Sequence, residues 1–273
     1  MNAKKIGDKQ QISIENLRLD CTITGIRKIE TESTKGTLER YEIEGYGETQ
    51  EYFIPDNCIL DEYTQRRKSR SMMPLEYVYK DAKDFDWTVY NEDVGIQKNI
   101  VNAFVVNFDM FLKQGRGLYI SSETKGSGKT LLACCIVNEL LKRNDSSMKY
   151  CTVPEYIELS KSKDEDAKET LNSLKECKVL IFDDIGTVTD KQEWIANAIF
   201  RLIDYRDKNL LPTIYTSNYK IHDLPIDERV ISRIDGHSVP VYVPEKNIRQ
   251  MKSSELTREF LRTVLANGSE GIF

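Results

Sequence analysis

The chain of 273 residues is longer than one small domain needs, so a large domain with a smaller companion is the starting expectation. With 40% hydrophobic and 30% charged residues it has the composition of a globular protein, which excludes a disordered or fibrous one. A formal net charge of −5 weighs against indiscriminate coating of nucleic acid by counterion release, although local patches can still bind it.

No run of about 18 apolar residues is present, and Lys4, Lys5 and Asp8 stand where a secretory leader would be apolar. The expected location is the cytoplasm, with no membrane partner. Six cysteines, Cys21, Cys58, Cys134, Cys135, Cys151 and Cys177, form no CxxC pair and sit mostly in apolar company. Buried free thiols are expected, in place of disulfides or a zinc site.

From about residue 12 to 60 the sequence alternates in short runs, among them Cys21-Thr22-Ile23-Thr24-Gly25-Ile26 and Tyr41-Glu42-Ile43-Glu44-Gly45-Tyr46. This predicts a small β-rich N-terminal module over 1–62. The basic stretch Arg66-Arg67-Lys68-Ser69-Arg70, running to Pro74, predicts a solvated linker over 63–83. A contact for DNA phosphates or an acidic partner is its functional alternative.

From Gly117 onward strands alternate with amphipathic helices, the pattern of βαβ units around a parallel sheet. Expected strands are Gly117 to Ser121, Lys149 to Val153, Lys178 to Asp183 and Thr213 to Ser217. Helices are expected from Lys129 to about Arg143, Pro154 to about Lys161, Asp166 to about Glu176, Lys191 to about Lys208, and Pro244 to about Leu265. The apolar runs Val179–Phe182 and Leu131–Val137 suit a central strand and the helix packed on it.

The strand at Leu118–Ser121 leads into Ser122-Glu123-Thr124-Lys125-Gly126-Ser127-Gly128-Lys129-Thr130 and then a helix start. That order builds a phosphate cradle. Gly126 and Gly128 let backbone N–H groups turn inward, and the helix N-terminus adds its positive dipole end. Lys129 would neutralise the β and γ phosphates of ATP, and the Thr130 hydroxyl would ligate Mg²⁺. The nucleotide-contacting run is taken as Gly126, Ser127, Gly128, Lys129, Thr130 and Leu131. The first glycine of GxxxxGK[ST] is Glu123 here, so its carboxylate must point away from the phosphates.

The strand Val179–Phe182 ends in Asp183 and Asp184. Acids at the carboxyl end of a central strand face the ligand crevice. Asp183 would hold Mg²⁺ through its water shell and Asp184 would orient the attacking water, unless the pair merely starts a turn. Asn218, after Thr213–Ser217, would either hydrogen-bond the γ-phosphate or its water, or cap a turn. Arg229 and Arg233 are four apart on one helix face, suited to neutralising transition-state charge from a neighbouring subunit or to simple solvation. Arg249 would approach the same nucleotide from the C-terminal helix.

The motifs GSGKT, LIFDDIG, PTIYTSN and ERVISRI, in that order, resemble the AAA+ ATPases of the helicase-loader group, the DnaC, DnaI and IstB relatives of bacteria and their phages. The resemblance covers roughly Asp84 to Leu265. It implies an α/β fold: a P-loop AAA+ domain over 84–273 with a parallel sheet and a short C-terminal helical lid. It further implies that Asn218 is the sensor 1 residue, Arg233 the arginine finger with Arg229 nearby, and Arg249 the sensor 2 residue. A finger acting in trans implies self-association. The function implied is ATP-driven loading of the replicative DNA helicase onto single-stranded DNA, with the N-terminal module holding the helicase; Tyr156 and Tyr215 would either stack on bases or sit in the core. Two other readings stay open, a transposition helper like IstB and a hydrolysis-poor nucleotide switch.

Overall fold

The computed structural model describes residues 5–14, 17–30, 35–44, 47–48, 52–55, 64, 67–144, 146–188, 192–251, 253–254, 257–258 and 262. Gly45, Tyr46, Cys58 and Arg66 lie outside the described residues, as do Lys191 and Leu265, the expected ends of two helices. The chain divides into two compact units, Met1–Arg66 and Arg67–Phe273.

The first unit is an antiparallel sheet of β1 (Lys9–Ile14), β2 (Leu17–Glu30), β3 (Lys35–Ile43), β4 (Gly47–Glu48) and β5 (Tyr52–Pro55). β1 to β4 pair in chain order and β5 returns to pair with β3. The period-two pattern sets its two faces: Tyr41 and Ile43 are buried while Glu42 and Glu44 are exposed. Tyr41 and Ile43 join Cys21 and Ile23 in a small core. Glu39 is also buried, and the Tyr41 hydroxyl donates to its Oε2 at 2.5 Å, supplying the partner that a buried carboxylate requires.

The second unit carries a parallel sheet of β6 (Gly117–Ser121), β7 (Met148–Thr152), β8 (Val179–Asp183), β9 (Thr213–Ser217) and β10 (Ser238–Tyr242), in the order β10-β6-β9-β8-β7. Around it lie α1 (Leu75–Val78), α2 (Gly95–Val106), α3 (Phe108–Lys113), α4 (Lys129–Arg143), α5 (Val153–Lys161), α6 (Glu165–Glu176), α7 (Glu193–Lys208) and α8 (Glu228–His237). Alternate residues of each strand feed two cores. Leu118, Ile120, Ile181 and Ile214 pack with α4, while Tyr119, Leu180, Phe182 and Tyr215 pack with residues of α5, α7 and α8. Burying each aliphatic side chain of the Val179–Phe182 run contributes about 1.5–3 kcal/mol.

Local signals explain most boundaries. Thr152 and Glu155 form a reciprocal capping box at the start of α5, with Pro154 in its first turn. By contrast α2 and α3 begin without any side-chain cap bond, and neither was anticipated. Local sequence rules do not predict strand β10, since Pro240 stands in its middle; proline removes a ladder donor and is tolerated here because β10 is an edge strand.

Three expectations are corrected. Residues 67–83 do not form a solvated linker: Met73 and Val78 enter the core of the second unit, and Tyr150 donates its backbone N–H to Ser71 O at 2.7 Å. Within the basic run, Arg67 donates to the carbonyls of Leu141, at 2.6 Å, and Asn144, capping the C-terminus of α4. The C-terminal helix begins at Ile248, because Pro244–Asn247 is irregular backbone laid along the phosphate loop. Tyr156 and Tyr215 are core residues unsuited to base stacking: Tyr156 packs edge-on against Phe182, with its hydroxyl on Ala198 O, and Tyr215 is 5% exposed. Cys134, Cys135, Cys151 and Cys177 are buried free thiols, as expected, and Cys21 is buried.

Among the described residues Arg206 is the largest fully buried side chain. Its guanidinium donates to the carbonyls of Leu174, Lys175, Cys177 and Pro212 and to Thr213 Oγ1, tying α7 to the end of α6 and the start of β9. Arg206→Leu should leave those carbonyls without donors and lower unfolding free energy by about 3 kcal/mol. Urea denaturation followed by circular dichroism checks this; an unchanged midpoint would show that water replaces the guanidinium without loss.

Candidate functional site

The phosphate loop joins β6 to α4 at the carboxyl edge of the sheet. Gly126 (φ +74°) and Gly128 (φ +97°) both take left-handed backbone, which L side chains rarely adopt. A Cβ at Gly126 would also stand 2.7 Å from Asn247 Oδ1, so that position is closed by space as well as by angle. Tyr90 fixes the loop from beneath, its buried hydroxyl donating to Ser127 O at 2.7 Å.

Glu123 is absent from the residues with positive φ, so the loop entry makes no demand for glycine there. Its side chain leads away from the loop to Lys220, with Oε1 3.5 Å from Nζ and both groups well exposed.

Lys129 lies folded over the loop. Its Nζ donates to Ser122 O at 3.0 Å, Thr124 O at 2.9 Å and Ser127 Oγ at 3.2 Å. Burial pushes its pKa down, opposed by the charges of Asp184, Glu245 and Asp183. An ammonium held against carbonyls at the mouth of a cavity is poised to exchange them for phosphate oxygens.

At the end of β8, Asp183 is 3% exposed and accepts hydrogen bonds from three hydroxyls: Thr216 at 2.5 Å, Tyr150 at 2.8 Å and Thr130 at 3.0 Å. Burial raises its pKa; the Thr216 bond opposes this, the charge of Asp184 reinforces it, and the other hydroxyl bonds pull it back only in part. Asp184 takes left-handed backbone (φ +60°), and its N–H donates to the same Thr216 hydroxyl at 2.9 Å. This turn separates the two acids, one beneath Thr130 and the other on the cavity wall.

An open cavity of about 630 Å³ lies over the loop. Its lining includes Gly126, Ser127, Gly128, Lys129, Thr130 and Leu131 together with Asp184, Asn218 and Arg249. Glu76 and Tyr77, from the segment read as linker, complete one wall. The Tyr77 hydroxyl is pushed up to about 12, chiefly by burial and then by Glu76, against the opposing pull of Arg249.

Arg233 is not brought to this cavity. Its Nε and Nη2 donate to Asp204 Oδ1 at 2.9 and 2.5 Å, and its guanidinium lies 4.6 Å from the centre of the Phe200 ring. Arg229 flanks the same ring at 4.7 Å and pairs with Asp227.

Sequence reasoning overlooked Tyr90, Tyr150, Thr216 and Glu245. Thr216 had a legible signal, being a hydroxyl at the tip of the strand beside β8. Tyr150 and Glu245 had none, because only tertiary pairing brings Tyr150 to Asp183 and Glu245 to the loop.

The sheet order, the glycine loop and the acid-tipped β8 together define an AAA+ P-loop domain. The chain belongs to the family described as IstB-like ATP binding protein, whose model matches residues 29–226. It is 31% identical over 169 residues to the replicative helicase loader DnaI of Bacillus subtilis (strain 168), covering 59% of this chain and 52% of that one, so the match spans about half the relative's length. Among solved structures, a crystal structure of DnaI is 28% identical with a TM-score of 0.54 over 67% of this chain and 98% of that chain. A crystal structure of the DnaC helicase loader, at 21% identity and a TM-score of 0.53, covers 63% of this chain and 100% of that one and shares the fold.

Mg²⁺ accompanies ATP in this fold class, and the residues present fit it. The Thr130 hydroxyl and the Asp183 carboxylate are hard oxygen donors 3.0 Å apart at the helix N-terminus, a set suited to a small divalent cation that keeps several waters.

The raised pKa of Asp183 has a measurable consequence. The folded-state value lies above the ordinary 3.8, so folding takes up a proton between the two values and becomes more favourable as pH falls through that window. At neutral pH the buried charge is a standing cost. Asp183→Asn should therefore melt a few degrees higher than the parent at neutral pH without nucleotide, with the gap closing as pH falls toward 4. A variant that melts lower at both pH values would show that the three hydroxyl bonds outweigh burial.

Proposed function

We propose that the chain is a Mg²⁺-dependent ATPase of the helicase-loader type, which couples ATP turnover to placing a replicative DNA helicase on single-stranded DNA. The supporting observation is the convergence of Lys129, Thr130, Asp184 and Asn218 on one cavity, with Asp183 bonded to Thr130 beneath it. The likeness to the DnaI loader supports the choice of partner.

In this reading the N–H groups of Gly126–Leu131 cradle the triphosphate, and Lys129 leaves the loop carbonyls to neutralise it. Thr130 and Asp183 would hold Mg²⁺, which supplies charge neutralisation at the phosphates when bound. Asp184 accepts a proton from the attacking water, Asn218 orients that water or the γ-phosphate, and Arg249 closes on the nucleotide from the C-terminal helix. Arg233 serves a neighbouring copy, so full turnover needs self-association; in the isolated chain Asp204 holds it. The N-terminal module holds the helicase.

Lys129→Ala should abolish binding of a fluorescent ATP analogue. Asp184→Asn should bind it normally and hydrolyse ATP about 10²-fold or more slower, the usual scale of a general base. Normal binding by the first variant, or normal turnover by the second, would remove the assigned role. Pull-down with the host's replicative helicase, with ATP turnover measured with and without single-stranded DNA, tests the loader assignment. Failure to capture the helicase would favour a transposition helper, and absence of turnover a nucleotide switch.

A further inference from the structure

The pairing between β10 and β6 does not stop where the sheet ends. Beyond it Val243 donates its N–H to Ser121 O at 2.8 Å, and the N–H groups of Ile248 and Arg249 both donate to Gly126 O at 3.0 Å. Between these points stands Glu245. Its carboxylate accepts the N–H of Glu123 on Oε1 at 2.8 Å, and on Oε2 the N–H of Thr124 at 2.5 Å and the hydroxyl of Ser122 at 3.0 Å. Partial burial would raise the pKa of this acid, but these donors outweigh it and hold the group below the usual carboxylate range.

The segment Ser122–Thr124 is therefore gripped from two sides, with its donors on Glu245 and two of its carbonyls on Lys129. This is also where the loop lacks its first glycine. Glu123 keeps ordinary backbone angles there, and a carboxylate from the C-terminal segment holds the turn by accepting its N–H groups. We propose that Glu245 is a positioning residue for the triphosphate, fixing the entry of the phosphate loop and tying it to the helix that carries Arg249. The inference rests on the reading of the cavity as an ATP site. When Lys129 moves onto the phosphates, the carbonyls of Ser122 and Thr124 lose their donor and Glu245 becomes the anchor that keeps the loop in register.

The discriminating variant is Glu245→Gln, which keeps size and shape but turns one acceptor into an NH₂ group facing N–H or O–H donors. It should weaken binding of a fluorescent ATP analogue by roughly tenfold, the scale of one lost charge-assisted bond. The melting temperature without nucleotide should stay near that of the parent. Hydrogen exchange should show the amides of Glu123 and Thr124 protected in the parent and exposed in the variant. Parental affinity together with parental protection in Glu245→Gln would overturn the proposal and leave the ATP site standing. Failure of the parent chain itself to bind the analogue would instead overturn the ATP reading. Should Glu245→Gln fold poorly, Ser122→Ala, which removes one donor and leaves the carboxylate intact, should weaken binding more modestly; unchanged affinity there would count against the proposal.

Discussion

The contact between the Thr130 hydroxyl and the Asp183 carboxylate, across 3.0 Å, is the point on which the second unit turns. It joins the first turn of α4 to the last residue of β8, so one hydrogen bond sets the separation between the phosphate loop and the acid edge of the sheet. Its value comes from burial. A carboxylate that water could reach would be held loosely by any one hydroxyl, but at 3% exposure Asp183 has only the donors that the fold provides. Thr216 and Tyr150 supply the others from the strands on either side of β8, so three strands and a helix meet on one side chain.

The same arrangement stores a cost. The hydroxyls do not fully offset removal of the charge from water, and the protein keeps an acid where a neutral amide would sit more comfortably. Such a penalty is intelligible when a cation is expected beside the group, since the charge is then useful where it is expensive.

Much of this was legible because it obeys period and punctuation. The boundaries of β6, β9 and α4 follow from apolar runs ended by glycine, serine or charge, and the paired acids announced the edge that faces ligand. What escaped was set by tertiary contact. Strand β10 carries a proline that local rules count against a strand, and only its place at the sheet margin permits it. Basic residues 67–70 read as solvated because charge is a surface signal, yet Arg67 spends its donors on carbonyls at the end of α4. The role of Glu245 could not be read at all, since it lies 122 residues from the amide it holds. Arg233 was correctly placed on a helix, but its engagement with Asp204 depends on α7 packing beside α8.

Pro240 also limits how copies of this unit can associate. A parallel sheet with a bare outer strand invites another chain to extend it by backbone pairing, the route by which open margins seed aggregates. Here the margin is interrupted by a residue with no N–H, in a strand of five residues whose Pro240 and Tyr242 are exposed. Growth of the sheet past β10 is thereby blunted. Contact between copies across this margin would therefore rest on side chains and not on a continuous backbone ladder.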